Sequence, residues 1–535
     1  MKLTKQGLND KSWAEKGYAL PQFDLDKVSK NTHDNPFWIH FGAGNIFRAF
    51  QANVVQELLN KGVIDAGLVV AEGYDYEIIE KMYKPHDNIG CLVTLKSTGS
   101  VEKTVVGSIM ESLTADSQNE KDWARLCEIF RNPSLQMVTF TITEKGYLLK
   151  NAAGVMMPGV EEDFANGPVL PKSYIGKVVT LLHERYVNGE LPVAMVSMDN
   201  CSHNGDKLYA AVNEFATEWE NRGVCKPGFL QYVNNEAKVT FPWTMIDKIT
   251  PRPDAKVEKI LADDGIEQLE PVITSKKTYV APFVNAEEVQ YLVIEDKFPN
   301  GRPELEKAGL YFTDRQTVDK VEKMKVCTCL NPLHTFLAVS GCLLGYTLIA
   351  DEMKDEDLLR LVKRLGYVEG LPVVVDPGII KPKSFIDEVV NIRVPNPFMP
   401  DTPQRIACDT SQKLSIRFGE TIKKYLDRKD LNIADLEVIP LVEALWLRYL
   451  MAIDDNGNKF ELSPDPLLSE VTPVVAGVKL GQKFDVHATV EPLLKRAEIF
   501  GVDLYKAGLG QKVEAYFEKL TAGTGAVRNV LKSVK

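Results

Sequence analysis

Between Phe37 and Lys61 the sequence passes from a short apolar run, Phe37-Trp-Ile-His-Phe41, through Gly42-Ala-Gly44-Asn45-Ile-Phe47-Arg48 into a segment of helical periodicity. A strand, a glycine turn and a helix in that order narrow the fold sharply. They open a βαβ unit, in which the helix's first amides face an anionic group such as a pyrophosphate. Phe47 holds the third glycine position of G-x-G-x-x-G, so the motif is incomplete and a plain tight turn explains it equally well. The next apolar stretch supports the nucleotide reading. Gly67-Leu-Val-Val-Ala-Glu72 reads as a second buried strand ending in an acid, with Asp75 just beyond. Such an acid commonly holds ribose hydroxyls and disfavours a 2′-phosphate. Glu72 lies 30 residues after Gly42, later than the usual ~20, and a longer first crossover accounts for the difference.

Strand and helix signals keep alternating. Leu135–Thr143 is strongly β and ends at Glu144-Lys-Gly146-Tyr147; Leu191–Met198 is a buried strand ending at Asp199-Asn200, with Asn204-Gly205 close behind. Ligands of open α/β sheets sit at such carboxyl ends. Asn200 is therefore placed to donate to a substrate oxygen, with a simple Asx-turn as the competing role. Phe241–Pro253 is aromatic and proline-punctuated, so it reads as a loop or an edge. Asn300-Gly301-Arg-Pro303 is a strong turn and the expected domain boundary. Beyond it, residues 333–352, 355–366, 413–429, 434–453 and 487–500 show helical spacing. The expected architecture is an α/β Rossmann-like dinucleotide-binding domain over residues 1–300 and a mostly helical domain over 301–535. Residues 1–35 read as a polar, irregular arm.

Composition limits the partners. At 535 residues the chain exceeds a single core. A net charge of -11 with dispersed basic residues argues against nucleic acid and anionic membranes. We find no uninterrupted apolar run near the ~18 residues of a membrane span and no signal-peptide core at the N-terminus. The eight cysteines lack zinc-knuckle spacing. A cytoplasmic enzyme with reduced thiols is expected.

One stretch concentrates chemistry: Lys325-Val-Cys-Thr-Cys-Leu-Asn331-Pro-Leu-His334, at the head of a long apolar segment. Asn331-Pro332 reads as an N-cap and first helical position, which would place Asn331 and His334 on one face. A lysine among apolar neighbours has its pKa drawn down toward use as a general base. The bland roles stand beside these: a cap, a core imidazole, a snorkelling amine.

Seven stretches in register resemble the mannitol dehydrogenase family, the polyol-specific long-chain dehydrogenases and reductases that include fructuronate and tagaturonate reductases. They are the glycine turn ending in Arg48, Thr141–Tyr147, Ser197–Asn200 with Asn204-Gly205, Met245–Pro251, Glu295–Pro303, Lys325–His334 and Asp455-Asn-Gly457. The resemblance implies an NAD-dependent, metal-free oxidoreductase interconverting a sugar alcohol or aldonate with its keto form. Its substrate is a small polyol or hexuronate, and it acts as a monomer or small homo-oligomer. By similarity Lys325 is the general base, Asn200 and Asn331 hold the reacting oxygen, and His334 positions it. Asp247, Arg405 and Lys413 fall at substrate-binding positions, and Glu322 at a proton-relay position. Gly42, Gly44, Asn45, Arg48, Glu72, Asp75 and Glu144 fall in the cofactor region. In one respect the sequence departs from the family: five residues, not the usual four, separate Lys325 from Asn331. In a regular helix one extra residue turns the amine by about 100°. An extended approach or a π-type turn would absorb it. The alternatives are a sugar-phosphate dehydrogenase, or a dinucleotide-binding protein whose lysine the extra residue has disabled.

Overall fold

The computed structural model describes residues 1–535. The chain divides into two compact units: Met1–Lys96 with Ser100–Asp319, and Lys320–Lys535 with Ser97–Gly99.

The first unit is built on six parallel strands: β1 (Trp38–Phe41), β2 (Leu68–Glu72), β3 (Ile109–Thr114), β4 (Met137–Phe140), β5 (Val193–Ser197) and β6 (Val239–Thr240), in spatial order β3-β2-β1-β4-β5-β6. That is the doubly wound dinucleotide-binding order, with its switch point between β1 and β4. β1, β2, β4 and β5 are buried along their whole length. They read as continuous apolar runs because helices cover both faces of such a sheet. Two apolar clusters form those layers, one around Phe41, Phe130, Phe140 and Trp219, the other around Phe47, Phe50, Val70 and Val196.

A second sheet carries β7 (Thr244–Asp247), β8 (Tyr291–Glu295) and β9 (Tyr311–Thr313). β7 is its antiparallel edge, so the Phe241–Pro253 stretch contains a strand. β9 pairs in parallel with β8, which keeps residues past the Asn300–Pro303 turn within the first unit. A four-stranded sheet adds Tyr18–Ala19, Val101–Val106, Gly90–Leu95 and Phe283–Glu287. The N-terminal arm is more ordered than its polarity suggests. It holds a helix, Leu25–Asp34, capped by the Asp24 carboxylate, which accepts from the amides of Asp26 and Lys27.

The second unit is helical. A helical run extends from Arg315 to Leu344, long and apolar enough by composition to cross a membrane, but 78% of its most apolar window is inside the protein. It is a core helix. Segments Glu356–Lys363, Glu420–Asp427, Val438–Tyr449 and Val486–Leu494 answer to the helical spacing. Helices at Pro382–Glu388, Gly510–Leu520 and Ala526–Ser533 lie outside the stretches singled out by periodicity.

Candidate active site

The glycine turn follows β1 directly. Gly42 has φ +109°, and a Cβ there would sit 2.3 Å from the Thr141 carbonyl oxygen. Only glycine lets the chain pass so close to the end of β4. At Gly44 a Cβ would meet nothing within 4 Å, so open space lies over the turn where the helix begins. The side-chain oxygen of Asn45 is buried with no hydrogen-bond partner. Open space, an unsatisfied polar atom and the outward amides of a helix N-terminus fit a dinucleotide pyrophosphate.

Glu72, at the end of β2, serves this turn from beneath. One carboxylate oxygen accepts from the Ala43 amide at 2.9 Å, the other from the amides of Tyr74 and Asp75 at 2.8 and 3.0 Å. Asp75 accepts from the Thr274 hydroxyl at 2.6 Å, while its second oxygen is buried without a partner. Arg48 takes a different direction from the turn. Its buried guanidinium donates to the Ala281 carbonyl at 2.8 Å and lies over the Tyr83 ring. Glu144 is exposed and paired with Lys207 at 2.7 Å.

Across the switch point, His40 bridges Thr139 and Thr141, at 2.6 and 2.8 Å, and stacks on Phe47. Burial pushes its pKa down to about 3, so the imidazole stays neutral. Asp199 ends β5 and gathers the Thr141–Tyr147 loop. It accepts from the amides of Ile142 and Thr143 and from the Tyr147 hydroxyl. Burial holds its carboxyl above the usual range, against those donors. Thr143 is held at φ +64°, a left-handed conformation that a β-branched residue seldom adopts. Asn200 follows, exposed, and the buried Asn204 side chain donates to the Asp199 carbonyl and the Thr244 hydroxyl. Asp247 is buried at the end of β7. Asp199 and Thr143 were not found by sequence reasoning; the strand-ending Asp-Asn pair was the available signal for the first.

In the second unit the segment from Lys325 to Asn331 is wider than an α-helical turn. Lys325–Cys329 is π-helical, and the Leu330 amide donates to the Lys325 carbonyl at 3.1 Å, an i→i+5 bond. One more residue per turn keeps Lys325, Asn331 and His334 in the angular relation that one residue fewer gives in an α-helix. The helix then resumes at Asn331 as its first residue, with Leu330 as its N-cap. Asn331 is therefore not the cap expected from sequence, because the preceding turn is already helical. Lys325 is buried, Asn331, His334 and Glu322 are partly exposed, and Lys323 is exposed.

Arg405 is the most exposed of these basic residues and is ion-paired with Asp401. Lys413 is partly buried, with its ammonium on the carbonyls of Ile406 and Cys408. Burial first, and then the neighbouring Arg417, push its pKa down. Arg417 lies one turn on and donates to the Thr335 hydroxyl, which itself donates to the Asn331 carbonyl at 3.1 Å. Sequence reading passed over Arg417, although a cation four residues after Lys413 on a helical segment was its signal.

The family model for the mannitol dehydrogenase Rossmann domain matches residues 37–307, and that for the mannitol dehydrogenase C-terminal domain matches residues 317–521. The chain is 52% identical over 537 aligned residues to a D-mannonate oxidoreductase of Thermotoga maritima, covering 100% of this chain and 99% of that one. A solved D-sorbitol dehydrogenase in substrate-free form superposes with a TM-score of 0.78 at 25% identity, over 96% of this chain and 97% of that one. A ternary complex of Pseudomonas fluorescens mannitol 2-dehydrogenase with NAD and D-mannitol superposes with a TM-score of 0.69 at 26% identity, covering 100% of both chains. With both of its halves matched in order and a relative this similar along its whole length, the chain belongs to the mannitol dehydrogenase family.

Proposed function

We propose that this chain is an NAD(H)-dependent oxidoreductase that interconverts an aldonate of the D-mannonate type with its keto acid. Family membership makes it a dehydrogenase acting on a CH–OH group of a polyol or aldonate. The aldonate is favoured over a neutral polyol because the relative that is 52% identical over the full length is a D-mannonate oxidoreductase.

The observation that carries the mechanism is the i→i+5 bond from Leu330 to Lys325. By helix geometry a turn of that width supports the reading that the buried Lys325 amine shares a face with Asn331 and His334. Bound NAD supplies the hydride acceptor. In our reading Lys325 takes the hydroxyl proton, while Asn200 and Asn331 donate N–H groups to the oxygen as it gains negative charge. His334 fixes that oxygen, and Glu322, three residues before Lys325, passes the proton to solvent. In the reductive direction the protonated amine returns it. Asp247 orients the substrate's hydroxyls. Gly42, Gly44 and Asn45 receive the pyrophosphate, and the negative charge of Glu72 and Asp75 disfavours a 2′-phosphate, so NADH should be used in preference to NADPH.

We further assign the protein to the cytoplasm, as a monomer or small homo-oligomer. All eight cysteines are free thiols, which suits a reducing compartment. The test is initial-rate oxidation of D-mannonate, D-mannitol and mannitol 1-phosphate with NAD, with wild type and Lys325→Ala. Lys325→Ala should lower kcat on D-mannonate by roughly 10²–10⁴-fold with NADH binding intact. A kcat within a few-fold of wild type would take the role of base from Lys325.

A further inference from the structure

Lys413 and Arg417 form a pair of cations that the protein leaves uncompensated. They stand one helical turn apart, where the Arg417 amide donates to the Lys413 carbonyl at 2.9 Å. Neither has a carboxylate within ion-pair distance. The Lys413 ammonium rests on two backbone carbonyls, and Arg417 uses one guanidinium nitrogen on the Thr335 hydroxyl. The acids around Lys413 are Asp409 and Asp465, and Asp465 is taken up by the amide and hydroxyl of Ser411. Arg405 differs, since Asp401 already neutralises it.

Two like charges, partly buried side by side, oppose each other and lose hydration. Burial alone lowers the Arg417 pKa to about 10, and it still remains cationic at neutral pH. With Nη1 on Thr335, the Nε–Nη2 edge of the planar Arg417 guanidinium stays unengaged, and that edge is shaped for two-point contact with a carboxylate. The pair also has a fixed address. Arg417 holds Thr335, the residue after His334, and Thr335 holds the Asn331 carbonyl. An anion bridging Lys413 and Arg417 would thus sit beside the two side chains assigned above to the reacting oxygen.

We propose that Arg417, together with Lys413, is the carboxylate-recognition element that makes this chain select an aldonate over a neutral polyol of the same length. The inference rests on the function proposed above and names the residue that sets its substrate class.

The experiment compares wild type, Arg417→Ala and Arg417→Lys on D-mannonate and on D-mannitol, with NADH binding by fluorescence and melting temperature measured alongside. For Arg417→Ala, KM for D-mannonate should rise about 10- to 100-fold, the range for a hydrogen bond to a charged group. KM for D-mannitol should rise much less, so that the ratio of the two KM values shifts toward the polyol, and Arg417→Lys should recover part of the loss. Equal losses on both substrates, or a change in NADH affinity or melting that accounts for the loss, would overturn the proposal in favour of a scaffold role. An unchanged KM for D-mannonate would overturn it directly. Failure of the wild type to oxidise any aldonate while it oxidises D-mannitol would overturn the aldonate reading, and this inference with it.

Discussion

Gly42 shows how much a single residue can decide. Its backbone is left-handed and its missing Cβ lets the turn run against the Thr141 carbonyl. Gly42→Ala should therefore destabilise the fold by about 1–3 kcal/mol and weaken NADH binding, read by thermal melting and fluorescence titration. Unchanged values for both would remove this turn from the site. Residue identities were well legible at this scale, but partners were not. The acid at the end of β2 was recognisable from its position, yet both oxygens of Glu72 go to backbone amides, including Ala43 in the glycine turn. No sequence pattern states which donors will fold up beneath a carboxylate. The same blindness hid the difference between Arg405, neutralised by Asp401, and Arg417, which has no acid. The pair also predicts a pH dependence. Lys413 has a pKa below the ordinary lysine value, so its charge is lost as pH rises through that lowered pKa. KM for D-mannonate should climb on the alkaline side, beginning below pH 10.5, while KM for D-mannitol follows a flatter profile. Identical profiles would exclude Lys413 from carboxylate binding.

The π-helical turn is the decisive element. Deleting Val326 should let residues 325–330 close as an α-helix with Lys325 still facing the side of Asn331 and His334, keeping kcat within about tenfold. Adding an alanine between Val326 and Cys327 should swing the amine away by roughly 100° and lower kcat by about 10² or more. Equal damage from both changes would mean that the turn holds the lysine in some way other than angular register. Element types were readable where periodicity was strong, as in Val193–Ser197 and Val438–Tyr449. The sequence also named the two ways to absorb the extra residue, but could not choose between them. That choice depends on what packs against the turn, including the segment Ser415–Gly419, itself π-helical and nearly a hundred residues away. Short elements, such as the two-residue strands at Val239–Thr240 and Tyr18–Ala19, left no periodic signal.

Taken whole, the second unit keeps acids in its interior that contribute nothing visible to the site. Glu443, on the core helix Val438–Tyr449, is fully buried with both carboxyl oxygens unpartnered, and burial raises its pKa well above the usual value. The unfolded chain ionises this group above about pH 4.3, while burial in the fold raises the pH at which it gives up its proton, so folding stability falls as pH rises between the two. The slope is about 1.4 kcal/mol per pH unit between the two pKa values. Glu443→Gln should raise the melting temperature and flatten its decline between pH 5 and 8; an unaltered slope would mean that this acid is ionised in the fold. The two-part architecture itself was legible, because a switch from alternating strands to unbroken helical spacing marks a change of layer type. Where the change falls was harder to read, since β9 pairs back onto β8 beyond the strongest turn signal. The π-helical turn also bears on how spacing is read. A side chain that reaches a helix face through an i→i+5 turn stands one residue further along the chain from its neighbours than one that reaches it through an α-turn, so counting residues alone misjudges which side chains share a face.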